Sequence, residues 1–183
     1  MIIASRSSTA GVSLRFQAAE AALLSDLADQ VDSMLLLGSP DDPALARLLP
    51  NAYPDDAEAQ RDYARYTRSS LIESKRAAAQ QVRDATAPVG ERVSTRSDAS
   101  AAVIPDGDAD AADADVVVEL DESDAWVWLT FLTDLRLILN ERVGAIEEST
   151  PEQDQRDDYL SAAYDWAGYL QGSMLEVLDP TDK

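Results

Sequence analysis

The sequence has no cysteine and no histidine. The first absence removes disulfides, thiolate metal sites, thiol switches and cysteine nucleophiles; the second removes the commonest general base and metal ligand. A catalytic site would have to be built from carboxylates, lysine, tyrosine, serine or threonine, so the expectation is a non-enzymatic protein with no metal or other cofactor. Basic residues are also scarce, 15 against 35 acidic ones, which leaves a formal charge of −20. A body this acidic is repelled by phosphate backbones and anionic lipid, so no direct nucleic-acid binding and no membrane association are expected. Long apolar runs are missing as well. The most apolar stretch, WVWLTFLTDLRLIL, is interrupted by Asp134 and Arg136 and falls short of the roughly 20 residues that cross a bilayer. The opening MIIASRSSTAG lacks the apolar region of a secretory leader, and a cytoplasmic protein is therefore expected.

What the sequence does have is organised around Trp126 to Val143. Trp126, Val127, Trp128, Leu129, Phe131, Leu132, Leu135, Leu137, Ile138, Leu139 and Val143 point in nearly every direction around a helix. A helix apolar on all sides belongs in a protein interior. Its two tryptophans, of three in the chain, give it the largest expected share of buried surface. The 183 residues suit a single domain, and a chain of this size buries enough surface to hold a core without metal or disulfide.

Residues 1–11 are small and polar and are expected to fray. Val12, Leu14 and Phe16 then alternate with polar residues as a strand does. Ala18 to Leu37 switches to helical spacing, with Gly38 as its stop. Asp42 and Pro43 have the chemistry of a helix start, and Leu45, Leu48 and Leu49 of that short helix point inward. Asp55 and Glu58 have capping-box spacing ahead of a long, half-buried helix from Ala57 to about Asp84. Residues 85–115 hold little to bury, and from Asp98 to Asp124 ten acidic residues meet no basic one; a mobile acidic loop is expected there. The run Val116 to Leu120 can pair with Val12–Phe16. Gly144 ends the core helix, and Thr150, Pro151 and Gln153 announce a last helix with Leu160, Ala163, Tyr164, Ala167, Leu170, Met174, Leu175 and Leu178 on one face. The expected architecture is mainly α: a helical bundle around the central apolar helix 126–143, with one short two-stranded β pairing.

Four features could carry chemistry. Asp134 and Arg136 are two residues apart on the core helix, so they point to different faces and each needs its own partner; a structural ion pair is the plain reading. Arg61, Arg65, Arg68 and Arg76 form a basic ladder, extended by Arg83, that could bind an anion or an acidic partner; the plain alternative is that it faces the chain's own acidic loop and last helix. Glu147, Glu148, Glu152, Asp154, Asp157 and Asp158 cluster, as does DGDADAADAD, but neither has calcium-loop spacing. Gly168 and Gly172 permit close approach of another backbone, by packing or in a homodimer. No phosphate loop, dinucleotide fingerprint, nucleophile elbow or basic recognition helix is present.

Several blocks together resemble an actinobacterial family first catalogued as a domain of unknown function and named for the oxidative-stress regulator AosR. They are the N-terminal alternation before Ala18–Leu37, RLLPNAYPDDAEAQRDY, WVWLTFLTDLRLILNERVG and YDWAGYLQ. The resemblance implies a mostly helical cytoplasmic protein that regulates transcription of stress genes through a protein partner, a sigma factor or RNA polymerase. It also implies a gene near the ClpS protease adaptor, the source of an alternative reading as a proteolysis-linked adaptor or structural partner. Redox sensing by a cysteine pair, proposed within that family, is impossible here. A third reading, an enzyme built on carboxylates or arginine, requires a concave pocket of convergent polar groups with a shifted titration.

Overall fold

A computed structural model describes residues 3–6, 11–39, 41–53, 55–87, 115–143 and 151–179. The elements in order are β1 (Ile3–Arg6), β2 (Val12–Phe16), α1 (Ala18–Leu37), α2 (Pro43–Leu48), α3 (Ala57–Tyr63), a π-helical segment (Ala64–Arg68), α4 (Ser69–Thr86), β3 (Val116–Leu120), α5 (Glu122–Val143) and α6 (Pro151–Leu178). The protein is mainly helical, with a small antiparallel sheet.

Alternation does in the strands what the sequence predicts. Val12, Leu14 and Phe16 of β2 and Val116, Val118 and Leu120 of β3 are buried. The two strands pair antiparallel, with Val12 opposite Leu120 and Phe16 opposite Val116. The sheet has one strand more than expected, because Ile3–Arg6 pairs antiparallel with the other edge of β2. A two-stranded ribbon is marginal in water, and this third strand gains support from α6, where Arg6 Nη2 donates to the Val177 carbonyl at 3.3 Å. Gly11 makes the tight entry to β2 possible: a Cβ there would lie 1.8 Å from the Leu120 carbonyl oxygen.

The helix ends follow local chemistry. Asp42 caps α2 through the Ala44 N–H at 2.9 Å. The cap of α3 is Asp56 rather than Asp55, its Oδ1 accepting from the N–H groups of Glu58 and Ala59 at 3.0 Å each. Gln17 precedes α1, and Glu20 reaches back to its N–H at 2.9 Å, a capping box the sequence hid because Gln is not a favoured cap. Gly38 ends α1 in an extended conformation, with its N–H on the Met34 carbonyl. The expected mobile loop lies, apart from its two ends, outside the described residues, as do Gly144, Thr150, Arg92, Arg96, Glu147 and Glu148.

The core helix starts at Glu122, not Trp126, with the Asp121 side chain accepting from the Asp124 N–H at 2.8 Å. Trp128, Phe131, Leu132 and Leu135 are almost fully buried, and Trp128 stacks on Phe16 with ring centroids 6.3 Å apart. The expectation of burial all round needs correction on one side. Trp126 is 53% exposed and Leu137 41%. Trp126 and Trp128 are two positions, about 200°, apart on the helix, so they face opposite ways, and no other described element covers the Trp126 side.

Candidate partner-binding site

The basic ladder does not act as one row. A π segment fits an extra residue into the helix, so the phase of α4 is shifted against that of α3. Arg76, on α4, donates to Asp32 of α1 through Nε at 2.7 Å. Arg83 lies 3.4 Å from Asp29 and 3.0 Å from Asp84. The partners are thus on α1 and α4 rather than on the last helix. Arg61, Arg65 and Arg68 have no ion pair among the described residues, and Arg65 lies 5.6 Å over the ring of Tyr66. The ladder divides into a half tied to α1 and a half without ion pairs among the described residues, in which Arg61 and Arg65 are exposed and Arg68 is half-buried.

Asp134 and Arg136 also part company. Asp134 is buried and receives the Lys75 ammonium on both oxygens, at 2.6 and 2.7 Å. Burial pushes its carboxyl above the ordinary value, and the bonds and charge of Lys75 reverse this only in part. Asp32 shows the other balance. Burial pushes it up too, yet the bonds from Arg76 and Gln80, with the charges of Arg76 and Arg83, outweigh burial and hold it below the ordinary value.

Arg136 has no carboxylate within ion-pair distance among the described residues. It meets neutral groups of α6. Nη1 donates to Gln171 Oε1 at 3.0 Å, and Nη2 to the Tyr164 hydroxyl at 2.9 Å. The guanidinium carbon is 4.5 Å from the Tyr164 ring centroid, within cation–π range. Gly168 faces the flat group, and a Cβ there would come into van der Waals contact with it, 3.4 Å from Cζ and Nε. A relay fixes the orientation of Gln171. The Thr133 hydroxyl donates to the Leu129 carbonyl and accepts from Gln171 Nε2, each at 2.8 Å, which turns the amide oxygen towards Arg136. Nε of Arg136 is buried without a hydrogen-bond partner among the described residues. Two of five N–H donors are therefore in use.

The sequence flags Arg136 but not these companions. Tyr164 reads as part of the apolar face of the last helix, and Thr133 and Gln171 carry no sequence signal. Only their three-dimensional convergence marks them.

Trp126, Thr130, Thr133, Leu137 and Asn140 form a stripe beside Arg136, spaced four, three, four and three residues apart, and all are exposed. On α6 the matching row is Tyr164, Gly168, Gln171 and Leu175, the last 41% exposed. None of the nine positions holds a carboxylate, although 35 of the 183 residues are acidic. Thr133, Arg136, Leu137, Asn140 and Tyr164 line a hollow of about 280 Å³. This is the size of a single docked side chain and falls just short of an ordinary ligand pocket of roughly 300–1,000 Å³. Another hollow, about 190 Å³, lies between α1, α5 and α6; it is mostly apolar, and its Arg142 is committed to Asp42 at 2.6 Å. Gly172 faces open space, with nothing within 4 Å of a would-be Cβ.

No helix among the described residues is long and apolar enough to cross a membrane. No curated protein and no solved structure matches the chain. The family described as "Domain of unknown function (DUF2017)" matches residues 2–178, nearly the whole sequence, and the chain belongs to that family.

Proposed function

We propose that this is a non-enzymatic regulatory protein that acts by protein–protein contact. The observation that carries the reading is the bare side of α5. The helix that organises the core leaves Trp126 and Leu137 exposed on the same stripe as a half-buried arginine that has only neutral partners among the described residues. Exposed aromatics next to arginine have the composition of an interface centre. No carboxylate or lysine lines either hollow, which supports contact over catalysis.

The resemblance to the AosR family sharpens this to a cytoplasmic regulator of stress-gene transcription, with a sigma factor or RNA polymerase as partner. Without cysteine, any signal reaches it by another route than thiol oxidation. The test is affinity capture from the native lysate at two salt concentrations, read by mass spectrometry, with Trp126→Ala beside the wild type. Recovery of RNA polymerase or a sigma factor, lost with Trp126→Ala and weakened by salt, is expected. Recovery of Clp components instead would turn the reading to proteolysis, and an empty capture would sink both.

A further inference from the structure

A cation taken out of water costs free energy unless an opposite charge comes with it. Arg76, Arg83 and Arg142 each have a carboxylate from elsewhere in the chain. Arg136 has none among the described residues, in a protein whose acidic residues outnumber its basic ones by 20. The position is nevertheless built for the guanidinium. Gly168 lies against one side of it, the Tyr164 ring lies within cation–π range, and the Thr133–Gln171 relay presents an acceptor. These groups hold its orientation and leave its charge unneutralised.

The geometry points to Arg136 as the receptor for a carboxylate carried by a partner's helix that lies along the Trp126–Asn140 stripe. This rests on the contact reading above and names its chemistry. Charge selects the occupant. The stripe holds no acid of its own, so the incoming side chain must bring one; two copies of this chain packed on this face would place like charges together. Shape selects the form. The stripe spans 14 residue steps, about 21 Å of straight helix, with Leu137 almost level with Arg136 and Trp126 ten residues, about 15 Å, before it as the two apolar contacts. A partner helix with one Glu or Asp, a leucine-like residue in the turn beside it and a second about three turns away on the same face matches it. The hollow lined by Leu137, Asn140 and Tyr164 admits one such carboxylate.

The probe is a pair of stapled helical peptides of about 15 residues, the staple being needed because short helices fray. One carries a glutamate with a leucine eleven residues before it and another three after it, on one face of the helix; the other has glutamine in its place. Binding to the full chain is read by fluorescence anisotropy. The glutamate peptide is expected to bind about tenfold or more tightly than its twin, as a charge-assisted bond requires. Asn140→Glu places a carboxylate one turn from Arg136 on an exposed position, where folding is not at stake. It should abolish the glutamate preference, bringing the two peptides to equal affinity, and Arg136→Met should do the same. Equal binding of the two peptides, a preference that survives both variants, or no binding of either would overturn the assignment. Lysate capture separates this from the broader reading. A partner held equally by wild type and Asn140→Glu would sink the carboxylate assignment alone. An empty wild-type capture with the peptide preference intact would sink the regulatory reading and leave the receptor.

Discussion

Two seams between helices treat charge in opposite ways. Between α1 and α4, Asp32 gathers Arg76 and Gln80, and Asp29 stands 3.4 Å from Arg83. Every charge named there has a counter-charge within the chain. Between α5 and α6, Arg136 is bonded as carefully, to Gln171 and Tyr164, but among the described residues by neutral groups alone. Asp134, two residues away on α5, shows that this helix can supply a matched pair, since Lys75 holds both of its oxygens. The difference is one of purpose in the interaction. A matched seam stabilises the fold, and the unmatched one is where the proposed partner carboxylate would supply the missing charge.

The largest effect should come from unmatching a matched pair. Lys75→Met leaves Asp134 buried without its cation and should cost about 3 kcal/mol in urea unfolding. Adding Asp134→Leu should recover most of the loss. A cost under about 1 kcal/mol would mean that the pair does not carry buried charge.

Next are the pH profiles, where the two buried aspartates should diverge. The folded value of Asp32 lies below its ordinary 3.8, so its contribution is present above 3.8 and is lost as pH falls through the depressed value. The folded value of Asp134 lies above 3.8, so its contribution is full below 3.8 and is lost as pH rises through the raised value. The stability of the wild type relative to Asp32→Asn should therefore rise with pH, and relative to Asp134→Asn it should fall. Denaturation midpoints from pH 3 to 7 check this, and parallel slopes would remove the contrast.

Glycine substitutions on α6 probe the unmatched seam directly. Gly172→Ala meets open space and should stabilise by roughly 0.5–1 kcal/mol through helix propensity. Gly168→Ala should gain less, because its Cβ would touch the Arg136 guanidinium. A loss of oligomer on sizing Gly172→Ala would instead reveal a dimer contact at that position. Smallest of all is Arg136→Met, which should shift stability by no more than about 1 kcal/mol in either direction, because exchanging a half-buried charge for an apolar chain is often neutral. A loss as large as that of Lys75→Met would make the two seams alike.

The helices and two of the three strands were legible because their signals are local. Alternation marks Val12–Phe16, Asp42 and Pro43 mark α2, and 3.6-residue spacing marks α1. What was not legible depends on which surfaces meet. β1 has the unremarkable sequence IASR and is a strand because β2 and α6 lie beside it. Trp126 has the same apolar character as Trp128, and only the arrangement of neighbouring helices leaves one outside. The site was half legible. Asp134 and Arg136 stood out as polar residues in an apolar helix, but Lys75 is 59 residues from its partner and Gln171 is 35 from Arg136. The split of the arginine ladder needed the π segment, for which the sequence offers no marker.

The bond from Arg6 to the Val177 carbonyl spans 171 residues. On the ribosome, at about 5–20 residues per second, β1 emerges roughly ten to thirty seconds before the helix that completes its surroundings. Through that interval the β1–β2 hairpin lacks its contacts with α6, and a chain stalled short of that helix would expose the bare face of β1 to whatever chaperones meet it first.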